Sequence, residues 1–173
     1  MISTYFRYLQ YQYMKTAFLP IVNRESTILI LGTMPGERSL RLQQYYGHAG
    51  NHFWKIMFAL LQVLFTTDYS VKTRLLLDHH IALWDVLQNC ECIGSADSNI
   101  KNEVPNDFEA FHKQYPNIKR VFFASTAAEQ FYNKHALKQT GITYHRLPSP
   151  SGANTWKTFD EKLDEWKVIL QYL

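Results

Sequence analysis

Sulfur is scarce in this chain: 173 residues hold two cysteines, Cys90 and Cys92, one residue apart. On an extended segment the two side chains point to opposite faces, so a disulfide between them would be strained. A zinc or iron–sulfur centre usually draws on four ligands, and there is no second cysteine pair to supply them. Two free thiols in a reducing cytosol are expected, which places the protein in the cytoplasm with no metal and no cofactor. Long apolar runs are missing too. The first stretch, MISTYFRYLQYQYMKTAF, is aromatic but broken by Arg7, Gln10, Gln12 and Lys15, so it reads as neither a signal peptide nor a membrane span, and no membrane partner is expected. Excess charge of one sign is also lacking. A net charge of +3 permits a nucleic-acid partner without arguing for one. Neither a GxGxxG fingerprint nor a Walker lysine motif is present, which weighs against a nucleotide-phosphate enzyme of those kinds. There is no internal repeat, low-complexity segment or interdomain linker.

What is present suits one soluble globular domain. Apolar residues make up 46% of the chain and charged ones 19%. A chain of this length buries roughly two thirds of its unfolded surface. Residues 1–17 read as a helical or irregular extension packing through its tyrosines, and 18–173 as a single domain, expected to act as a monomer. The β-branched run at about 27–31 predicts a strand buried on both faces. A glycine-containing loop follows, with a short helical piece at 39–45. From Asn51, in an N-cap position, a helix is predicted to about Phe65, carrying Phe53, Trp54, Met57, Leu60, Leu61, Leu64 and Phe65 inward. A second helix over 70–79 turns Val71, Leu75 and Leu76 inward and leads to a strand at 81–84. Residues 88–105, rich in Asn, Ser, Gly and Asp and without a period, read as a long ordered loop. A helix over 107–115, a strand over 119–124, a helix over 126–137 and a strand over 142–147 follow. In the last helix Phe159, Leu163, Trp166, Leu170 and Leu173 step by four and three, and Thr158 with Glu161 has capping-box spacing. Strands alternating with helices imply a parallel sheet covered on both faces.

Ligands of such sheets bind beyond the carboxyl ends of the strands. The four ends here are Gly32-Thr33-Met34-Pro35-Gly36, then Asp85, then Ser125-Thr126, then Pro148-Ser149-Pro150-Ser151-Gly152. All project turn-forming or polar residues to one rim. The last of them suits phosphate: Ser149 and Ser151 offer hydroxyls, Gly152 allows close approach, and a helix is expected to begin near Asn154 or Thr155 with free amides. The same residues are also ordinary capping chemistry. Arg38, Arg41, Tyr45, Tyr46, His48 and His52 interleave bases and aromatics, a mixture that can stack a nucleobase and touch a phosphate, or simply cover the core.

GTMPG after a strand, QQYYGHxxNxFW into a helix, ALWDVLxxC, GSxDSxI, PNDF, VFF and LPSPS together resemble the uracil-DNA glycosylase superfamily, most nearly its hypoxanthine-DNA glycosylase group, from about Phe18 to Leu170. The resemblance implies a three-layer α/β/α sandwich around a four-stranded parallel sheet. It also implies DNA containing a damaged base as partner, and hydrolysis of the N-glycosidic bond of a flipped deaminated base, hypoxanthine first and uracil or another second, in base excision repair. Many relatives place Asp, Glu or Asn before the proline of the first motif to serve the attacking water. Met34 stands there and can neither take a proton nor orient water. In the hypoxanthine branch the asparagine before the FW pair carries that role, which transfers to Asn51; its alternative is a plain N-cap.

Substrate contacts are expected from Gly32, Thr33, Met34, Pro35, Gly36, Tyr46, His48, Phe53 and Ser125, with Tyr46 stacking on the flipped base. Asp85 falls where other branches read the base edge with Asn; as a carboxylate it would accept from a base N–H or stabilise the positive sugar. Ser149, Ser151 and Gly152 match the phosphate-gripping loop, with Ala153 or Asn154 filling the gap left in the stack. Two departures stand out. Ala124 replaces a substrate-binding Asn unless Ser125 substitutes, and Ala49-Gly50 replaces Pro-Arg, removing a phosphate contact. A damage-binding module without catalysis, suggested by Met34 and Ala124, and a nucleotide-binding small-molecule enzyme are the competing readings.

Overall fold

The structure is a computed structural model that describes residues 14–173. In chain order its elements are β1 (Met14–Thr16), β2 (Ile28–Gly32), α1 (Glu37–Leu42), α2 (Phe53–Leu60), α3 (Tyr69–Asp78), β3 (Ile81–Asp85), β4 (Leu87–Glu91), β5 (Lys101–Pro105), α4 (Phe108–Gln114), β6 (Arg120–Phe123), α5 (Thr126–His135), β7 (Thr143–Arg146) and α6 (Phe159–Trp166), with 3₁₀ turns at Asp97–Asn99 and Lys167–Tyr172. The central sheet has the order β3-β2-β6-β7 and every pairing in it is parallel. Alternation along the strands divides the core in two. Ile28, Ile30, Leu83 and Phe122 face Phe53 and Met57 of α2, Leu76 of α3 and Trp166 of α6. Leu29, Leu31, Val121 and Phe123 face Phe108 and Phe111 of α4 and Ala128 and Tyr132 of α5. Helices therefore cover both faces, as the expected three-layer sandwich requires.

Several local expectations are corrected. Residues 88–105 are not one long loop: β4 and β5 flank a shorter loop and pair antiparallel, and β1 adds to the other side of β4, making a second sheet of order β1-β4-β5. Residues 14–16 of the expected helical or irregular extension are thus a strand; Tyr5, Tyr8, Tyr11 and Tyr13 lie outside the described residues. The first short helix sits earlier than 39–45 and ends at Leu42, with Gln43 at φ 52° as its left-handed cap. α2 stops at Leu60 rather than Phe65 because Gln62 takes φ 55°, and Leu64 and Phe65 are left exposed. Val71 is exposed, whereas Leu75 and Leu76 are buried as expected. The capping box of Thr158 and Glu161 forms at the start of α6. Beyond Trp166 the chain tightens to 3₁₀, so Ile169 turns inward while Leu170 and Leu173 face solvent.

Candidate active site

Strand register assembles the site. Gly32 lies opposite Asp85 and Leu31 opposite Phe123, so the ends of β2, β3 and β6 finish level. Backbone bonds continue the ladder past the ends, from Val86 N–H to Gly32 O (2.8 Å) and from Ala124 N–H to Leu31 O (2.9 Å). Above this edge opens a cleft of about 1120 Å³. Gly32, Thr33, Met34, Pro35, Gly36, Tyr46, His48, Asn51, Asp85, Ser125, Ser149, Ser151 and Gly152 all line it. Phe53 does not. Fully buried, it lies under Tyr46, stacked at 4.0 Å between ring centres and 16° between planes. It acts on the cleft by fixing the ring above it. Tyr46 needs that support, since it sits at φ 51°, a left-handed conformation that costs a bulky residue about 1–3 kcal/mol.

Asn51 stands one residue outside the position expected of it. The residue preceding α2 is His52, which offers no side-chain cap, and Asn51 Oδ1 reaches past it to accept from Phe53 N–H at 2.9 Å. Capping and lining the cleft are therefore combined in one side chain, with the amide oxygen held by the helix it precedes. His52 N–H donates to Pro150 O at 2.8 Å, tying this segment to the serine loop.

The floor is acidic. Asp85 is 4% exposed and its Oδ2 is buried with no hydrogen-bond partner. The Tyr46 hydroxyl is likewise closed in without a partner. Burial, and then the nearby charge of Asp97, pushes the Asp85 carboxyl up to about 8. Burial also raises Asp97, against the lowering effect of a bond from the Thr33 hydroxyl to Asp97 Oδ2 at 3.1 Å. Thr33 Oγ1 lies 3.3 Å from Ser125 Oγ, and Ser125 Oγ accepts from Ala128 N–H at 3.0 Å as the cap of α5. Ser125 thus reaches the cleft while serving the helix, beside buried Ala124.

The serine loop departs from expectation in its backing. α6 begins at Phe159, so no helix starts at Asn154 or Thr155 to aim its amides at a ligand. Short internal bonds shape the loop instead: Ser151 N–H to Ser149 Oγ (3.3 Å) and Ala153 N–H to Ser151 Oγ (3.2 Å). Beneath it lies Lys162, 1% exposed, whose ammonium donates to Ser151 O at 2.9 Å and Asn154 O at 2.8 Å. A Cβ on Gly152 would fall 2.3 Å from Gly50 O. Gly152 therefore permits backbone-to-backbone contact between the two loops, and Gly50 supplies the other side of that contact.

Three contributors escaped the sequence reading. Lys162 had a visible signal, because it falls on the inward stripe with Phe159, Leu163 and Trp166, where a lysine is out of place. Asp97 belonged to the GSxDSxI piece but received no role. Trp156, 95% exposed on the cleft rim, carried no signal beyond being a large aromatic in a polar loop, and it offers a much larger flat surface than Ala153 or Asn154.

Comparison with known proteins points to one superfamily. Residues 19–173 match the family model described as the uracil DNA glycosylase superfamily. A protein named hypoxanthine DNA glycosylase from Methanosarcina acetivorans is 33% identical over 160 residues, covering 91% of this chain and 99% of the relative. Its namesake from Methanosarcina barkeri is 35% identical over 141 residues, covering 81% and 88%. The solution NMR structure of a uracil DNA glycosylase candidate from M. acetivorans superposes with a TM-score of 0.80 at 32% identity, covering 92% of this chain and 98% of that one.

Proposed function

The chain belongs to the uracil DNA glycosylase superfamily, and from that premise we propose that it is a monofunctional DNA glycosylase that hydrolyses the N-glycosidic bond of a flipped deaminated base, hypoxanthine first and uracil second. The observation that carries this reading is the convergence of Asn51, Asp85 and the Tyr46–Phe53 stack on one cleft bordered by the serine loop. A base within a duplex must leave the stack to reach such a floor, at a cost of a few kcal/mol that mispairing reduces. Ser149, Ser151 and the adjoining amides grip the flanking phosphates. Trp156, rather than Ala153 or Asn154, is the rim residue best able to fill the vacated space by stacking.

Bond cleavage leaves positive charge on the sugar and negative charge on the departing base. Asn51 holds the attacking water with the free lone pair of an amide oxygen already oriented by Phe53 N–H. It positions water and does not deprotonate it. No lysine lines the cleft among the described residues, which supports water as the nucleophile over a lysine imine. The working form is taken as a cytoplasmic monomer, where the free Cys90 and Cys92 stay reduced.

Single-turnover incubation with duplexes bearing hypoxanthine, uracil, xanthine or a thymine mismatch, followed by cleavage at abasic sites, tests this. Hypoxanthine excision is expected, lost by about 10²-fold or more in Asn51→Ala. Tight binding of the damaged duplex with no abasic product from any substrate would replace the enzyme with a damage-binding module.

A further inference from the structure

Two carboxyl groups share the floor of the cleft, and their surroundings differ. Asp97 Oδ2 receives the Thr33 hydroxyl at 3.1 Å. Having spent its proton there, Thr33 Oγ1 can only accept in its 3.3 Å contact with Ser125 Oγ, so Ser125 is the donor. Ser125 in turn accepts from Ala128 N–H, in the first turn of the ten-residue helix α5. The result is a polarised relay from the positive end of a helix, through two hydroxyls, to one oxygen of Asp97. Asp85 has nothing comparable: its Oδ2 is buried without a donor.

Among the described residues no buried lysine or arginine lines the cleft around Asp85, and burial and the charge of Asp97 are what act on it. The segment preceding α2 contributes Tyr45, Tyr46 and the exposed rim residue His48, and half-buried His52 lies beyond. α3 contributes Tyr69 and α1 the exposed Arg38. The 92–99 loop contributes Asp97, a like charge. A single negative charge in this floor therefore settles on Asp97, and the proton stays on Asp85.

Building on the glycosylase reading, we propose that Asp85 works as a neutral carboxylic acid that donates its proton to an acceptor on the edge of the leaving base, and that Asp97 is the positioning residue that keeps the proton there. In the step, the C1′–N bond breaks with its electron pair passing to the base. The base takes the Asp85 proton, and the water oxygen bonds to C1′. The proton shed by that water goes to solvent, from which Asp85 regains one before the next turnover. A purine, whose ring nitrogens and 6-oxo group are acceptors, suits a donor at this point. Both carboxylate roles, accepting from a base N–H or facing the positive sugar, would require a charge that the floor does not solvate.

The test is the pH profile of single-turnover hypoxanthine excision on the full chain, together with the carboxyl ¹³C shift of Asp85 in the free protein. Wild type is expected to lose rate tenfold per pH unit above about 8, the value to which burial and Asp97 raise this carboxyl. Asp85→Asn, neutral at every pH but unable to give up a proton, is expected to be slower by about 10²–10⁴-fold with that alkaline limb gone and with duplex affinity retained. Asp97→Asn keeps shape and removes the like charge, so the limb is expected to move to lower pH by about one pH unit. A wild-type rate in Asp85→Asn overturns the proposal, as does a limb in Asp97→Asn that stays or rises. An Asp85 ¹³C shift of the ionised form at pH 7 overturns it independently of activity. Excision with a flat profile would remove the acid and leave the glycosylase standing. Absence of excision from any duplex would remove both.

Discussion

At Gly32 the distance between two strand ends is set by a missing methyl group. The residue pairs with Asp85 across β2 and β3, and a Cβ there would lie 2.4 Å from Asp85 Oδ1 and 3.1 Å from the Tyr46 hydroxyl. The carboxyl must then rotate away from its present position on the cleft floor, where the proposed reading puts it beneath the flipped base, while the strand itself has a backbone open to alanine. Gly32→Ala is expected to fold with a stability loss of about 1–3 kcal/mol from overpacking. Its excision rate should fall by about 10²-fold, the cost of misplacing a reacting group by an ångström. A melting curve and a single-turnover rate on the same preparation check both halves; an unchanged rate would mean that Asp85 has no fixed position in the reaction. Among single residues, those that follow strand ends were legible in the sequence because chain direction alone takes them to the rim. Phe53 had two readings: the helical period turned it inward, as the first turn of α2 does, whereas the resemblance made it a substrate contact, and in the core it supports Tyr46 instead.

Between elements, the serine loop depends on a helix packed beneath it. The carbonyls of Ser151 and Asn154 turn toward the Lys162 ammonium, and in a trans peptide the following N–H points the opposite way. The amides of Gly152 and Thr155 thereby point away from Lys162, the direction that the proposed phosphate grip requires. Lys162→Met fills the space without a donor, leaving Asn154 O unpaired and Ser151 O with only the Asn154 N–H at 3.2 Å, so unfolding free energy should drop by about 1–3 kcal/mol. Affinity for a hypoxanthine duplex in an anisotropy titration should weaken by about tenfold; a lower melting point with unchanged affinity would reduce the lysine to a packing role. Legibility differed sharply between elements. β2, β3 and β6 are continuous apolar runs bounded by turn residues, and the Thr158–Glu161 box marks its helix end, so their order implied the parallel sheet. β4 and β5 hid because LQNCE and KNEVP mix polar and apolar residues, and their register shifts between Leu87 and Asn89 and again before Glu91, which destroys the period of two. Asp97 hid with them, since its loop reaches the cleft by way of that second sheet.

For the whole molecule, two buried groups pull stability in opposite directions with pH. His112 is 6% exposed with neither ring nitrogen partnered, and burial lowers its pKa below the ordinary 6.5. The unfolded chain therefore takes up that proton first, so stability is complete above pH 6.5 and drains as pH falls below it. Asp85 acts the other way. Its folded value, about 8, lies above the ordinary 3.8, so the folded state holds the proton longer and stability declines as pH rises from about 4 to 8, by a few kcal/mol at the upper end. The two effects overlap between pH 4 and 6.5 and oppose one another there; above 6.5 the loss from Asp85 is uncompensated by His112. Asp85→Asn removes the ionisation while keeping volume, so its melting temperature should exceed that of wild type by a margin that widens from pH 5 to pH 8, as the catalytic rate is lost. His112→Phe should flatten the acid side alone. Calorimetric scans of the three proteins across pH 4.5–8.5 separate these contributions. A margin for Asp85→Asn that is constant with pH would show that Asp85 is ionised in the folded state throughout, and that the cleft floor solvates a charge that its buried, unpartnered oxygen gives no means to hold.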